Sequence, residues 1–260
     1  MTPMAVLSRS AILLVLTGLH LFAQAPAASV PKTQGVKAGQ TEVNPLDGLT
    51  YVWIPAGTFS MGCTPGDAEC DSDEKPAHRV TISKGFWIAQ TPVTQAAYQR
   101  VTTTSPGYFS GAQFPVDSVN WDEAQNYCRT IGMRLPTEAE WEFAARAGMQ
   151  ASRYGNLDDI AWYGVNSGNK THDVMRKLPN AWNLYDMLGN VWEWTADWYG
   201  PYAAGASEES TDPQGPATGK IRALRGGSWA NGPAFVRVSV RSGNEQDHHS
   251  NVVGFRCVGN

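Results

Sequence analysis

Asn183-Leu-Tyr-Asp-Met-Leu-Gly-Asn-Val-Trp-Glu-Trp-Thr195 sets two carboxylates, Asp186 and Glu193, within eight residues of each other, with backbone carbonyls interleaved between them. Calcium takes about six to eight hard oxygen ligands and tolerates irregular geometry, so a tight loop of this make-up suits it. The same spacing fits a turn held only by hydrogen bonds, with Glu193 paired to an arginine. The surrounding chain has a similar texture. From Met149 to Asn260 there is little helical periodicity; Gly, Asn, Pro and Trp recur, with short alternating segments such as Phe235-Val-Arg-Val-Ser-Val-Arg241. Long loops over small, twisted antiparallel sheets are expected there.

Regular elements are better marked upstream. Tyr51-Val-Trp-Ile-Pro and Gly57-Thr-Phe-Ser-Met-Gly62 read as two short strands around a Pro-Ala-Gly turn, and His78-Arg-Val-Thr-Ile82 as a third strand. Thr94 is placed to cap a short helix ending near Val101. In Asn120-Trp-Asp-Glu123 the asparagine can cap while the glutamate reaches back; Ala124, Tyr127, Cys128 and Ile131 then share one face, and Gly132 ends the helix. Thr137-Glu-Ala-Glu140 has capping-box spacing, with Pro136 just outside, Trp141, Ala144 and Ala145 inward, and a stop at Gly148. The fold class is α+β, with unusually many irregular segments.

Ten tryptophans stand among 26 glycines and 16 prolines, with only 17% charged residues. Aromatic side chains rather than long elements then fill the core. The net charge is −4 and no basic cluster occurs, which argues against a nucleic-acid partner. Arg9, the apolar run Ala11 to Phe22 and the small residues Ala23 to Ala28 have the anatomy of a cleavable signal peptide, residues 1–27. The apolar run is too short to span a bilayer, so no membrane association is expected after cleavage. Residues 28–46 read as a flexible linker and 47–260 as one domain. The expected location is the periplasm or the outside of the cell.

Four cysteines in an oxidising compartment favour two disulfides. Cys63 and Cys70 flank a Pro65-Gly66 turn and could staple a loop; Cys128 and Cys257 would then pair across most of the domain. A bridge that long contributes about 4–5 kcal/mol on the chain-entropy model, less any strain. Zinc is the rival use of these cysteines, but neither spacing nor neighbouring histidines support it. His248-His249 lies in a polar loop and has the pattern of solvated residues.

Five segments together resemble the formylglycine-generating, or sulfatase-modifying factor, family. They are Ile54-Pro-Ala-Gly-Thr-Phe-Ser-Met-Gly62, Arg134-Leu-Pro-Thr-Glu-Ala-Glu-Trp-Glu-Phe143, the Asn183–Thr195 stretch, Leu224-Arg-Gly-Gly-Ser-Trp229 and Gly254-Phe-Arg-Cys257. The resemblance implies a C-type-lectin-like fold and a Cys128–Cys257 bridge, leaving Cys63–Cys70 as a local one. It also implies structural calcium on the side chain of Asp186, the carbonyls of Gly189 and Val191, and the carboxylate of Glu193. Asp186 stands where some relatives have asparagine, which adds charge and should tighten binding. The family's second calcium loop would match Asp158 to Asp173, but its ligands do not line up.

Formylglycine formation in this family uses copper(I) on two thiolates, three and eight residues beyond the serine of Gly-Gly-Ser. Counting from Ser228 gives Asn231 and Val236, and no cysteine lies between Cys128 and Cys257. Neither an amide nor an isopropyl group replaces a thiolate on copper, so copper and cysteine-dependent oxidation are not expected. Trp192, Ser228, Trp229, Asn231 and Arg241 match, or adjoin, positions that line the family's peptide cleft. A monomer holding a peptide, protein or small molecule in that groove is the expected function. A maturation or biosynthetic enzyme using other residues, and a true formylglycine-generating oxidase, are the alternatives.

Overall fold

Three helices begin at their capping residues. In the computed structural model, which describes Met1 and residues 37–202 and 209–260, helix α1 (Gln95–Thr102) starts after Thr94, α2 (Trp121–Thr130) after Asn120 and α3 (Glu138–Arg146) after Thr137. Each cap side chain accepts the backbone N–H three residues on. In α2 and α3, Glu123 and Glu140 return the bond to the cap N–H, at 2.9 and 2.8 Å. The expected face of α2, Ala124, Tyr127, Cys128 and Ile131, is buried. Beyond α3, Ala147 and Gly148 both take positive φ and end the helix. A single further turn, α4, spans Leu157–Ile160.

Eleven short strands form three sheets among the described residues. In the first, β1 (Thr41–Val43), β2 (Thr50–Ile54), β5 (Phe86–Ala89) and β11 (Val258–Gly259) lie antiparallel in that order. In the second, β3 (Gly57–Met61) pairs with β4 (His78–Ile82), which is joined in parallel by β7 (Ser210–Thr211). The third runs β10 (Val253–Gly254), β6 (Trp192–Trp198), β8 (Ile221–Arg225), β9 (Arg241–Glu245), with β10 parallel to β6 and the rest antiparallel. The first sheet is thus antiparallel throughout, and the second and third each carry one parallel pairing.

Two expectations are corrected. Thr41–Val43 lies inside the stretch assigned to a flexible linker, yet it is strand β1, held by the backbone of β2 rather than by an apolar pattern of its own. The two strands expected around Pro55-Ala56 form as β2 and β3, and the turn hands the chain from one sheet to another. Phe235–Val240 is not a strand, and β9 begins only at Arg241. A 3₁₀ turn, Pro233–Phe235, precedes an irregular passage through the core in which Val236, Arg237, Val238, Ser239 and Val240 are all buried. The signal-peptide segment lies outside the described residues, Met1 excepted.

Both disulfides form, Cys63–Cys70 and Cys128–Cys257, and no cysteine is free. The long bridge ties α2 to the segment before β11, within a cluster that includes Tyr98, Tyr127 and Phe255. Every residue of α3 is buried, including Glu138, Glu140, Glu142 and Arg146. A helix so enclosed needs opposite charges brought to it. Arg241 forks onto Glu138 at 2.6 and 2.8 Å, and Arg134 onto Glu140 at 2.6 and 2.7 Å. Arg225 and Arg146 share Glu142.

Candidate functional site

The loop before β6 and the loop after β8 lie at the same end of the third sheet, because Glu193 is paired in register with Arg225. Backbone bonds fasten the two loops together: Gly189 N–H donates to Gly226 O and Trp229 N–H to Asn190 O, both at 2.9 Å. Gly189 must be glycine, since its φ is +76° and a Cβ there would fall 2.2 Å from the Trp162 carbonyl oxygen. Asn190, fully buried, bonds the His172 backbone through both its amide nitrogen and its oxygen, at 3.1 Å each.

Asp186 is buried at the start of this arrangement. Its Oδ2 accepts the Met175 N–H at 2.9 Å and its Oδ1 the Asn190 amide at 3.2 Å. Burial pushes its carboxyl up to about 6, with those two bonds acting in the opposite direction. Glu193 has two cationic or polar partners already. Arg256 grips it through Nε and a terminal nitrogen, both at 2.7 Å, and the Trp141 indole donates to Oε2 at 2.8 Å. The Arg256 guanidinium also donates to the carbonyls of Ala89, Tyr185 and Asp186.

Calcium fits this loop in part. Asp186 is a buried carboxylate with no guanidinium or ammonium hydrogen-bonded to it, and among the described residues no donor reaches the Gly189 carbonyl. Glu193 Oε2 is filled by two donors, whereas Oε1 receives only Arg256 and keeps a lone pair. An ion would supply charge compensation for Asp186 and pin loops that have no ladder of their own. Among the described residues, Asp71, Asp73 and Glu74 also cluster. They serve instead in a capping box, the Arg237–Glu74 pair and a bond from the Tyr199 hydroxyl to Asp73.

Of the groove residues, Ser228, Trp229 and Asn231 come together. Asn231 Oδ1 accepts both the Ser228 N–H, at 2.9 Å, and the Ser228 hydroxyl, at 2.7 Å. Trp229 is half-buried, its indole N–H on the Asn251 carbonyl and its ring edge-on to Phe109. Trp192, only 7% exposed, belongs to the core with Trp53, Trp87 and Trp194. Arg241 is buried between Glu138 and the rings of Tyr199 and Tyr202. Val236 is buried against Gly227. Copper(I) does not fit these positions, since an amide and an isopropyl group occupy them and all four cysteines are bridged.

Sequence inspection missed the exposed apolar residues on segments that come close to Ser228–Asn231. Tyr108 packs on Phe109 and is 70% exposed; Val165, which follows the Gly164 that donates to Asn231 O, is 73% exposed; Phe235, whose carbonyl abuts Gly227, is 48% exposed. Their sequence separation hid the grouping. Nearby, His172 stacks on Trp162 at 3.8 Å, with Lys177 on that ring at 4.1 Å.

The chain is 32% identical to a formylglycine-generating enzyme of Streptomyces coelicolor, covering 89% of this chain and 96% of that one. It is 36% identical to the serine/threonine-protein kinase pkn1 of Chlamydia pneumoniae over 86% of this chain, but spans only 40% of that kinase. The solved structure of PvdO from Pseudomonas aeruginosa superposes with a TM-score of 0.77 at 28% identity, covering 86% of this chain and 99% of PvdO. The sulfatase-modifying factor enzyme 1-like domain matches residues 37–260, which takes in all three sheets and both disulfides, and the chain belongs to that family.

Proposed function

We propose that this chain is an exported, calcium-stabilised binding domain of the family, which holds a peptide or similar ligand on the Trp229 face and does not oxidise cysteine. The observation that carries this is the pairing of Asn231 with Ser228 beside half-buried Trp229, whose ring meets Phe109 and, through it, the exposed Tyr108. Exposed aromatic side chains beside a few fixed polar groups favour ligand contact. The absence of any free thiol supports the loss of oxidase chemistry. The two disulfides favour an oxidising compartment. The Asp186 loop would hold calcium through Asp186, the carbonyls of Gly189 and Val191, and Glu193, as a brace rather than a reactant.

The test has two arms. Purified protein, copper(I), oxygen and a sulfatase-type cysteine peptide should show no aldehyde by mass spectrometry beyond a copper-only control. A peptide library displayed against the protein should yield binders that are lost with Trp229→Ala. Turnover above the control would overturn the assignment, as would binders indifferent to Trp229→Ala.

A further inference from the structure

A cavity of about 410 Å³ opens at the start of α3 and shares no lining residue with the Trp229 face. Its wall includes Ile82, Leu135, Ala196 and Asp197. Asp197 is 4% exposed, and its Oδ2 accepts the Glu138 N–H at 2.8 Å. Among the described residues no donor reaches Oδ1. Gly215 lies against that oxygen, where a Cβ would approach to 3.0 Å. The other carboxylates of the cavity are matched. Glu140 is forked by Arg134, and Asp212 accepts the Ser83 N–H and hydroxyl.

We infer that this cavity binds a small organic cation, a primary ammonium or guanidinium on a short apolar stem, with its head on Asp197 Oδ1. A buried carboxylate with one oxygen unbonded carries a desolvation cost that a cation relieves. Ile82, Leu135 and Ala196 supply apolar wall for the stem. An anion would face Asp197, Asp212 and Glu140, with only the exposed Lys84 and an already forked Arg134 to receive it.

Ligand-observed NMR titration at pH 8 with n-butylguanidinium, n-butylammonium and 1-butanol tests this. Saturable binding is expected for either cation and none for the alcohol. Asp197→Asn keeps an acceptor for the Glu138 N–H and should weaken cation binding at least about tenfold, as loss of a charged hydrogen-bond partner does. Gln125→Lys, which puts an ammonium at the cavity wall, should weaken it similarly and decides the matter if Asp197→Asn fails to fold. Equal binding of 1-butanol, or parental affinity in either folded variant, would overturn the inference.

Discussion

Removing Glu142 should cost this domain a large part of its stability. Its Oε1 accepts the Gly62 N–H at 2.9 Å and two nitrogens of Arg146 at 2.7 and 2.8 Å, and its Oε2 binds Arg225. Glu138 is the other carboxylate of the cluster, and Arg241 already forks onto it. Glu142→Ala therefore leaves Arg146 buried without a carboxylate, and Arg225 with only Glu138, 3.5 Å from its Nε and already held by Arg241. Breaking a buried pair from one side costs about 3–5 kcal/mol. In a domain of this size each kcal/mol moves the midpoint by about 2–4 °C, so a fall of roughly 6–20 °C is expected. Scanning calorimetry measures it. Glu142→Gln, which keeps an acceptor for Gly62, should fall between, and Glu142→Met with Arg225→Met should lose less than the two single changes together. A Glu142→Ala midpoint within about 2 °C of the parent would show that the guanidiniums find water or other partners, and would refute the reasoning.

Chelator, or Asp186→Ala, should lower the melting temperature of the calcium-loaded protein, and metal analysis should find calcium in the parent; an unchanged melt with no calcium would leave the loop a hydrogen-bonded turn. Burial raises the Asp197 carboxyl from 3.8 to about 7, aided by the Glu138 charge. Its folded form thus keeps a proton that the unfolded chain releases, favouring folding below about pH 4, a contribution lost as pH rises through 7. Asp197→Asn should accordingly raise the midpoint at pH 8 and change it little at pH 4, as thermal melts at both values would show. Non-reducing peptide mapping of exported protein should find only Cys63–Cys70 and Cys128–Cys257.

The capping boxes were legible because their physics is local: Asn120 with Glu123 and Thr137 with Glu140 are complete within four residues. The five ordered motifs carried the fold for the same reason, each being a short run. Phe235–Val240 misled because alternation of valines with Arg and Ser marks a half-buried strand only when the polar residues face water. Here Arg237 turns inward to Glu74 and Asp67, more than 160 residues upstream. Strand β1 was missed since a short edge strand can be held by backbone bonds alone. At the candidate site, the Ser228–Asn231 bond is local in sequence, whereas the partners of Arg241 and Glu193 are set by long-range packing that no spacing records.

The Cys128–Cys257 bridge has a mechanical consequence. The two sulfurs are 129 residues apart in sequence, yet their α-carbons lie 5.6 Å apart. A force applied between residues 37 and 260 passes through that bond and bypasses the intervening chain, which includes α3, the Asp186 loop and the Trp229 face. At about 3.5 Å per extended residue, some 450 Å of contour length stays hidden until the bond is reduced. A tether on this domain would give way only in the chain up to Cys128, with its first five strands, α1 and most of α2, and in β11, leaving the Trp229 face slack under load.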